Sequence, residues 1–356
     1  MSPFRDRVVK LKQAYKQHSL SKPNYFPHRG ATATQPSEFH QFSFQPIVGP
    51  QGQQFGCEAQ FRGGSDGVNQ DPSATSWIML DNWLLCGFEE LIHGLVQFLN
   101  CTRETLVSDF LSLLPHSAVF EISESVEPDD EVLSVCRSLK AAGYRIALDD
   151  FESLKKMEEF LNLADFIKVD FRNALHRERA CMLRDLQLTR AVLIADRIDS
   201  EEAFHEAVEE GFSLFQGEWA GERVAYTRVT PPLHPMKCTC ILGALEVPVL
   251  PANRLIDLIN LEPGIEYRLL RRANWITPPD VAIDSIQEAL EVAGKAELQK
   301  IVKLAMRADW EYDSLPRSVP VQQSALNHFG SDVLARWMEQ GLQTPLRYGT
   351  EQSSIL

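Results

Sequence analysis

Six polar side chains, each inside or directly after a short apolar run, recur along the chain at the length of a strand–helix repeat. Asn100 follows the run 95–99, Glu121 lies within 118–122, and Asp149 follows 146–148. Lys168 lies within 166–169, Asp196 follows 192–195, and Gln216 follows 212–215. Successive gaps are 21, 28, 19, 28 and 20 residues, each long enough for one strand, a loop, a helix and the return. Short buried strands alternating with amphipathic helices build a parallel sheet, and eight such units close it into a TIM-like (β/α)8 barrel. The carboxyl ends of barrel strands converge on one face, so this spacing predicts that the six side chains meet there. Carboxylates, an amide and a lysine gathered at one point suit a hard divalent cation such as Mg²⁺.

The rest of the composition narrows the class. With 356 residues, 44% of them apolar, the chain is long enough for two domains with real cores. No run reaches the ~18 uncharged apolar residues of a membrane span, and the first residues lack a signal-peptide core, so a soluble, cytoplasmic protein is expected. Seven cysteines without framework spacing read as reduced thiols, and the lone pair Cys238 and Cys240 has no second pair to complete a zinc site. A net charge of −14 argues against a nucleic-acid partner. The charge is uneven, because residues 1–30 carry seven Lys/Arg and one Asp. There Phe4, Val8, Leu11 and Tyr15 fall at helical spacing among Arg5, Arg7, Lys10, Lys12 and Lys16. A basic amphipathic helix of this kind suits a membrane surface or a partner; so short and narrow a stripe better suits the acidic body of the same protein or of a second copy.

Residues 1–40 therefore divide into this basic helix and a linker, 17–40, rich in Ser, Pro, Thr, Gln and His. Strands and helices alternate over 41–225, the expected barrel. Segment 128–143 has the grammar of a helix: Asp129, Asp130 and Glu131 in the first turn, Val132, Val135, Cys136 and Leu139 as the buried stripe, and Gly143 as the stop. After Thr230-Pro231-Pro232 no further strand is expected. Instead, helical stripes appear at Leu255–Ile259 spacing, at Ile265, Leu269, Leu270 and Ala273, at Ile286, Ala289, Leu290 and Ala293, and at Leu298, Ile301, Val302, Leu304 and Ala305. These predict a small all-α domain over 231–308. In the tail, 309–356, one helix is expected at 331–340, with Leu334, Trp337 and Met338 on one face.

Several ordered motifs over roughly 41–225 resemble the EAL family of cyclic di-GMP phosphodiesterases. Phe44-Gln45-Pro46-Ile47-Val48 looks like its first strand, and Glu58-Ala59-Gln60-Phe61-Arg62 stands where the family has Glu-Ala-Leu-Leu-Arg. Leu80-Asp81-Asn82-Trp83-Leu84-Leu85 resembles the helix that follows. Asn100, Phe120-Glu121-Ile122-Ser123-Glu124-Ser125, Ala147-Leu148-Asp149-Asp150-Phe151, Ile167-Lys168-Val169-Asp170, Ala195-Asp196 and Phe215-Gln216-Gly217 continue in the family's order. The helical part is similar to a shortened HDOD domain, through the segment from Glu262-Pro263-Gly264 to Ala273-Asn274 and Asp284-Ser285-Ile286. It has no His-Asp pair, so the metal chemistry of the related phosphohydrolases is not expected. Arg268, Arg271 and Arg272 cluster there, and either pair with carboxylates of the protein's own barrel or form a docking patch for an acidic protein partner.

The resemblance implies hydrolysis of one phosphodiester of cyclic di-GMP with two Mg²⁺ or Mn²⁺ ions, which activate water at the barrel mouth. It implies Glu58, Asn100, Glu121 and Asp149 as ligands of the first ion and Asp150 as a ligand of the second. Lys168 corresponds to the residue that orients or deprotonates the water, Glu124 to a carboxylate bracing the loop after Asp149, and Asp196 to a later acidic position. Gln45, Arg62 and Gln216 correspond to nucleotide contacts. A homodimer is compatible with the family's organisation. Three departures weaken the site. The glycine-rich loop after the Asp-Asp-Phe motif is replaced by Glu152-Ser153-Leu154-Lys155-Lys156. The family's Glu-Gly is Asp196-Arg197, one methylene shorter and with a cation that would compete with a metal for carboxylates. Gln60 replaces a leucine. The expectation is a signalling protein of the cyclic di-GMP network acting mainly through binding, with weak phosphodiesterase activity yielding linear product, or a nucleotide-independent docking barrel, as alternatives.

Overall fold

Eight strands close on themselves because the first of them is paired along both edges. The computed structural model describes residues 38–61, 72–86, 95–149, 154–172, 179, 182–184, 186, 189–221, 223–230, 233–278, 281–314 and 345–346. The basic helix, most of the linker, Arg62, Asp150 and the expected tail helix lie outside them. The barrel strands are β1 (Glu38–Val48), β2 (Gln54–Phe61), β3 (Val96–Cys101), β4 (Ala118–Ser123), β5 (Arg145–Asp149), β6 (Phe166–Asp170), β7 (Val192–Asp196) and β8 (Leu214–Gln216). Strands β2 to β8 are parallel in sequence order, and β1 pairs with β8 at Ile47–Gln216 to complete the TIM-like barrel.

One strand departs from the all-parallel expectation. β1 is antiparallel to both β2 and β8. The reason is the short link after Val48: Gly49 donates from its amide to the Gln53 carbonyl at 2.8 Å, closing a tight hairpin. A parallel pair would need a crossover of about a dozen residues. The first half of β1 is paired on its other side by β9 (Val224–Thr230), with Ser43 flanked by Gln60 on β2 and Ala225 on β9. A two-residue strand, β10 (Pro345–Leu346), adds to β9, so the chain after Thr230 is not free of strands as expected.

Inside the barrel, Ile47, Phe98, Val119, Ala147, Phe166, Ile194 and Leu214 form one apolar cluster. Successive inward-facing residues on a strand are two apart. Two residues beyond Phe98, Val119, Ala147, Phe166, Ile194 and Leu214 lie Asn100, Glu121, Asp149, Lys168, Asp196 and Gln216. The spacing in the sequence is thus the step from an apolar layer to a polar one at the carboxyl end of each strand.

Helices α1 (Pro72–Cys86), α2 (Arg103–Leu106), α3 (Asp130–Ala141), α4 (Leu154–Leu161) and α5 (Glu201–Glu210) belong to the barrel. Asp129, expected in the first turn, stands just before it and caps α3, its side chain accepting from the Val132 amide at 2.9 Å. Among the described residues four helices follow: α6 (Pro235–Leu245), α7 (Ala252–Asn260), α8 (Pro263–Ile276) and α9 (Ile286–Ser314). α9 joins the last two expected stripes and bends at Gly294, whose φ of 80° and ψ of 166° suit glycine. α8 and α9 pack on α1.

That packing changes the reading of the arginine cluster. Arg268, 4% exposed, grips the Asp81 carboxylate of α1 with two nitrogens, Nε at 2.7 Å from Oδ1. Arg272, 8% exposed, binds Glu297 of α9 at 2.7 Å and the Ser112 carbonyl of the barrel at 3.2 Å. Arg271 lies against the Tyr267 and Trp275 rings. Arg268 and Arg272 are therefore internal fasteners and do not form an exposed docking patch. Among the described residues no helix is long and apolar enough to cross a membrane.

Candidate functional site

The centre of the polar layer is Lys168, fully buried on β6. Its ammonium lies 2.5 Å from Glu121, 2.9 Å from Glu58 and 3.9 Å from Asp149. Glu58 carries four donors on its two oxygens. Oε1 accepts from Gln60 at 2.6 Å and from Asn100 at 3.1 Å; Oε2 accepts from Lys168 at 2.9 Å and from Gln216 at 2.5 Å. An ionised carboxylate offers about four lone-pair sites, so Glu58 is saturated by its own chain. Gln216 also donates to Gln45 at 3.3 Å, joining β8 to β1 across the closure.

Register explains this convergence. Gln45 pairs with Glu58 across β1 and β2, Asn100 with Glu121 across β3 and β4, and Ile47 with Gln216 across the closure. The chain must turn sharply after Gln216 to close here. Gly217, with φ of 142°, allows it, because a Cβ would meet the Ile198 backbone at 2.3 Å. Ser76 of α1 donates to the Asn100 carbonyl at 2.9 Å and holds the end of β3.

Electrostatics divide the carboxylates. Burial alone would raise the Glu58 carboxyl, but the Lys168 ammonium, the Arg223 guanidinium and the hydrogen bonds from Lys168 and Gln216 hold it at about 2. Burial pushes Glu121 well above the usual carboxylate range, Lys168 opposes it, and the charges of Glu58 and Asp149 add to it. Burial would lower Lys168, yet Glu121, Glu58, Asp149 and Asp196 outweigh it and raise the ammonium well above its usual range. The asymmetry follows from hydrogen bonding: four donors favour the charged form of Glu58, whereas Glu121 Oε2 has no hydrogen-bond partner among the described residues. Gln216 Oε1, equally buried, is also without one there.

Asp196 sits at the rim with its side chain 17% exposed, its carboxyl raised by burial against the pull of Lys168. The neighbouring Arg197 takes a left-handed backbone, φ 59°, donates to Asp170 and stands 3.9 Å from Asp196. The cation against Glu58 and Glu121 is thus Lys168, and Arg197 lies beside the acidic rim instead. Glu124 is half-buried in the turn after β4, one residue past the Ser123–Asp149 pair. The loop it is expected to brace, like Asp150 and Arg62, falls outside the described residues.

Of the residues singled out in the sequence, Gln45, Glu58, Asn100, Glu121, Asp149, Lys168, Asp196 and Gln216 occupy the polar layer, and the first six of these with Gln216 are linked by the contacts above. Three contributors were not assigned a role. Asp170 lies two residues beyond Lys168 on the same face, a signal period two provides. Gln60 is visible only as a departure from a motif. Arg223, which donates to Gln60, has no spacing that announces it.

Chemically the set fits a hard cation: Glu58, Asn100, Glu121 and Asp149 are oxygen-bearing groups, and Glu121 Oε2 is a buried acceptor without a hydrogen-bond partner among the described residues. Two features oppose immediate binding. The Asn100 amide turns its nitrogen to Glu58, and the Lys168 ammonium stands between the carboxylates. Among the described residues no three acidic, imidazole or thiol side chains are arranged to hold a metal ion as they stand.

No family model matches the chain. Among solved structures it resembles the EAL-domain protein YkuI of Bacillus subtilis, in complex with cyclic di-GMP and calcium, at 20% identity and a TM-score of 0.43 over 51% of this chain and 55% of that one. In sequence it is 26% identical over 266 residues to the protein YuxH of Bacillus subtilis (strain 168), covering 72% of this chain and 65% of that protein. It is 28% identical over 272 residues to the cyclic di-GMP phosphodiesterase CdgJ of Vibrio cholerae serotype O1, covering 74% of this chain and 62% of that protein. The chain spans less than two thirds of the length of these two relatives, and over that span it is similar to a cyclic di-GMP phosphodiesterase.

Proposed function

We propose that this chain is an EAL-type barrel of the cyclic di-GMP signalling network that binds the nucleotide at the carboxyl ends of its strands and acts mainly as a receptor. The observation that carries this reading is the Glu58 carboxylate, bonded by four donors of its own chain, one of them the non-family Gln60. A carboxylate so satisfied is a poor competitor for Mg²⁺ or Mn²⁺, so fast hydrolysis is not expected, while the polar layer remains available to a ligand.

The cation would be held by Glu58, Asn100, Glu121 and Asp149, and when bound it would supply Lewis-acid activation of a water at the scissile phosphodiester. Without a cation, the surrounding carboxylates raise the Lys168 ammonium, so in this arrangement it acts through charge and donated hydrogen bonds. Gln45 and Gln216, joined across the barrel closure, offer amides to the nucleotide. A slow phosphodiesterase is the second reading, favoured by Glu121 Oε2, an acceptor left without a hydrogen bond within the described residues. The helical region from α6 to α9, with its HDOD-like segment, is the part assigned to a protein partner.

Calorimetric titration of cyclic di-GMP, with and without Mn²⁺, tests this together with chromatography of the linear product. Saturable heat and turnover far under the ~10 s⁻¹ of a median enzyme are expected. Absence of binding under both conditions would sink the receptor reading. Turnover at ~10 s⁻¹ would replace it with the phosphodiesterase.

A further inference from the structure

Gln60 and Arg223 lie in a line with Glu58. Arg223 donates from its guanidinium to Gln60 Oε1, and Gln60 Nε2 donates to Glu58 Oε1 at 2.6 Å. The fold makes this line through β9, which pairs outside the barrel. Ser43 on β1 has Gln60 as its neighbour on one side and Ala225 on the other, and Arg223 lies two residues before Ala225. Arg223 is exposed, whereas Glu58 is 4% exposed, so the line runs from the surface to the buried centre of the site.

The chemistry of the amide fixes its direction. A guanidinium only donates, so it must meet the oxygen of Gln60, and the NH₂ group is then turned to Glu58. With the amide in this sense Gln60 occupies a lone pair that a cation would use. With the amide turned over, the same side chain would present an oxygen instead, which is a ligand for a hard cation.

We infer that Gln60 and Arg223 form an internal latch on Glu58, in which Arg223 holds the Gln60 amide as a donor and so keeps Glu58 from a divalent cation. Gln60 is here a positioning residue acting through Glu58. The inference rests on the reading of Glu58 as a cation ligand, and it gives the receptor-like behaviour a removable cause. Releasing the latch from either end frees Glu58, and the two ends act through one amide.

The test is Mn²⁺ binding without nucleotide, followed by calorimetry and by loss of the free-ion electron paramagnetic resonance signal. Gln60→Met removes the donor at nearly constant length, and is expected to tighten Mn²⁺ binding about tenfold, the low end of what partners of metal ligands contribute. Gln60→Leu repeats the test should the first variant melt early. Arg223→Met, at an exposed position, should also tighten binding in the otherwise unchanged chain, but should add little once Gln60 is Met. Unchanged Mn²⁺ affinity in the Gln60 variants, including no detectable binding in any, overturns the latch. Equal gains from Arg223→Met with and without Gln60 also overturn it, because they would mean simple charge repulsion of the cation. Cyclic di-GMP titrated into the unaltered chain is measured beside these. If it binds while the Mn²⁺ series fails, only the latch is lost; if it does not bind, the receptor reading fails on its own.

Discussion

Lys168 is a single ammonium shared by two buried carboxylates, and its removal should be felt across the site. Its side chain is 1% exposed, with Glu121 at 0% and Glu58 at 5%. Taking one partner from a buried ion pair typically costs about 3–5 kcal/mol, since the charges left behind have lost both water and counter-ion. Lys168→Met should lose stability of that order at neutral pH. The loss should shrink in acid, and the sign follows from Glu58. With Lys168 present the folded carboxyl is held at about 2, so its contribution is present above the ordinary carboxylate range and fades as pH falls toward 2. Without Lys168, burial raises the same carboxyl, and the folded variant gains relative stability as it takes up a proton. Urea unfolding of both proteins between pH 7 and pH 3 checks this; a difference that grows toward acid would contradict the assignment of Lys168 as the shared counter-ion. Lys168, Glu121 and Asp149 are legible in the sequence because each stands two residues beyond an apolar interior residue, whereas Glu58 stands two beyond Gly56 and is marked only by the motif it opens. Gln60 is not legible, because its role depends on which way an amide faces, and Arg223 decides that from a strand paired outside the barrel.

At the level of elements, the Asp81–Arg268 pair between α1 and α8 is a buried joint between the barrel and the following helices. Both side chains are almost fully buried, 3% and 4% exposed, and Arg268 also donates to the Gly264 carbonyl at 2.9 Å. Arg268→Met alone should cost about 3–5 kcal/mol by leaving Asp81 charged and enclosed. Pairing it with Asp81→Leu should restore most of the loss, because apolar replacement of a whole buried pair is often neutral. Thermal unfolding of the two single variants and the double variant measures the coupling, and additive losses would show that the pair is not the joint. The helices themselves are unevenly legible. α8 and both halves of α9 announce themselves by apolar stripes, and Gly294 marks where one stripe gives way to the next. α6 buries only Cys238 and Ile241, too few for a stripe. The antiparallel β1 is decided by the short hairpin at Gly49 and Gly52, a local constraint that overrides the parallel pattern of its neighbours.

For the molecule as a whole, α1 shows why the barrel and the helical region form one body. Every residue from 76 to 85 is buried, nearly three turns with no side left to water. A helix buried all round, as this one is despite Ser76, Asp81 and Asn82, is stable only where both faces are covered, and the barrel covers one. α8 and α9 cover the other, through Arg268 on Asp81 and Arg307 over the Trp77 ring at 5.4 Å, and Tyr312 of α9 reaches past it to Phe61 of β2 at 6.1 Å. The same helix holds the Asn100 carbonyl through Ser76, so the packing outside the barrel reaches the polar layer within it. The change from strands to helices after Thr230 is plain in the sequence and invites a division there, but the absence of a polar face on α1 argues that the two parts are not independent. A chain ended after Thr230 should therefore expose an apolar helix face, bind a hydrophobic dye such as ANS, and self-associate or melt well below the full chain. Size-exclusion chromatography and thermal unfolding of the shortened and full chains decide it. A shortened chain that stays monomeric, binds no dye and melts at the full chain's temperature would mean that α1 needs no cover from α8 and α9.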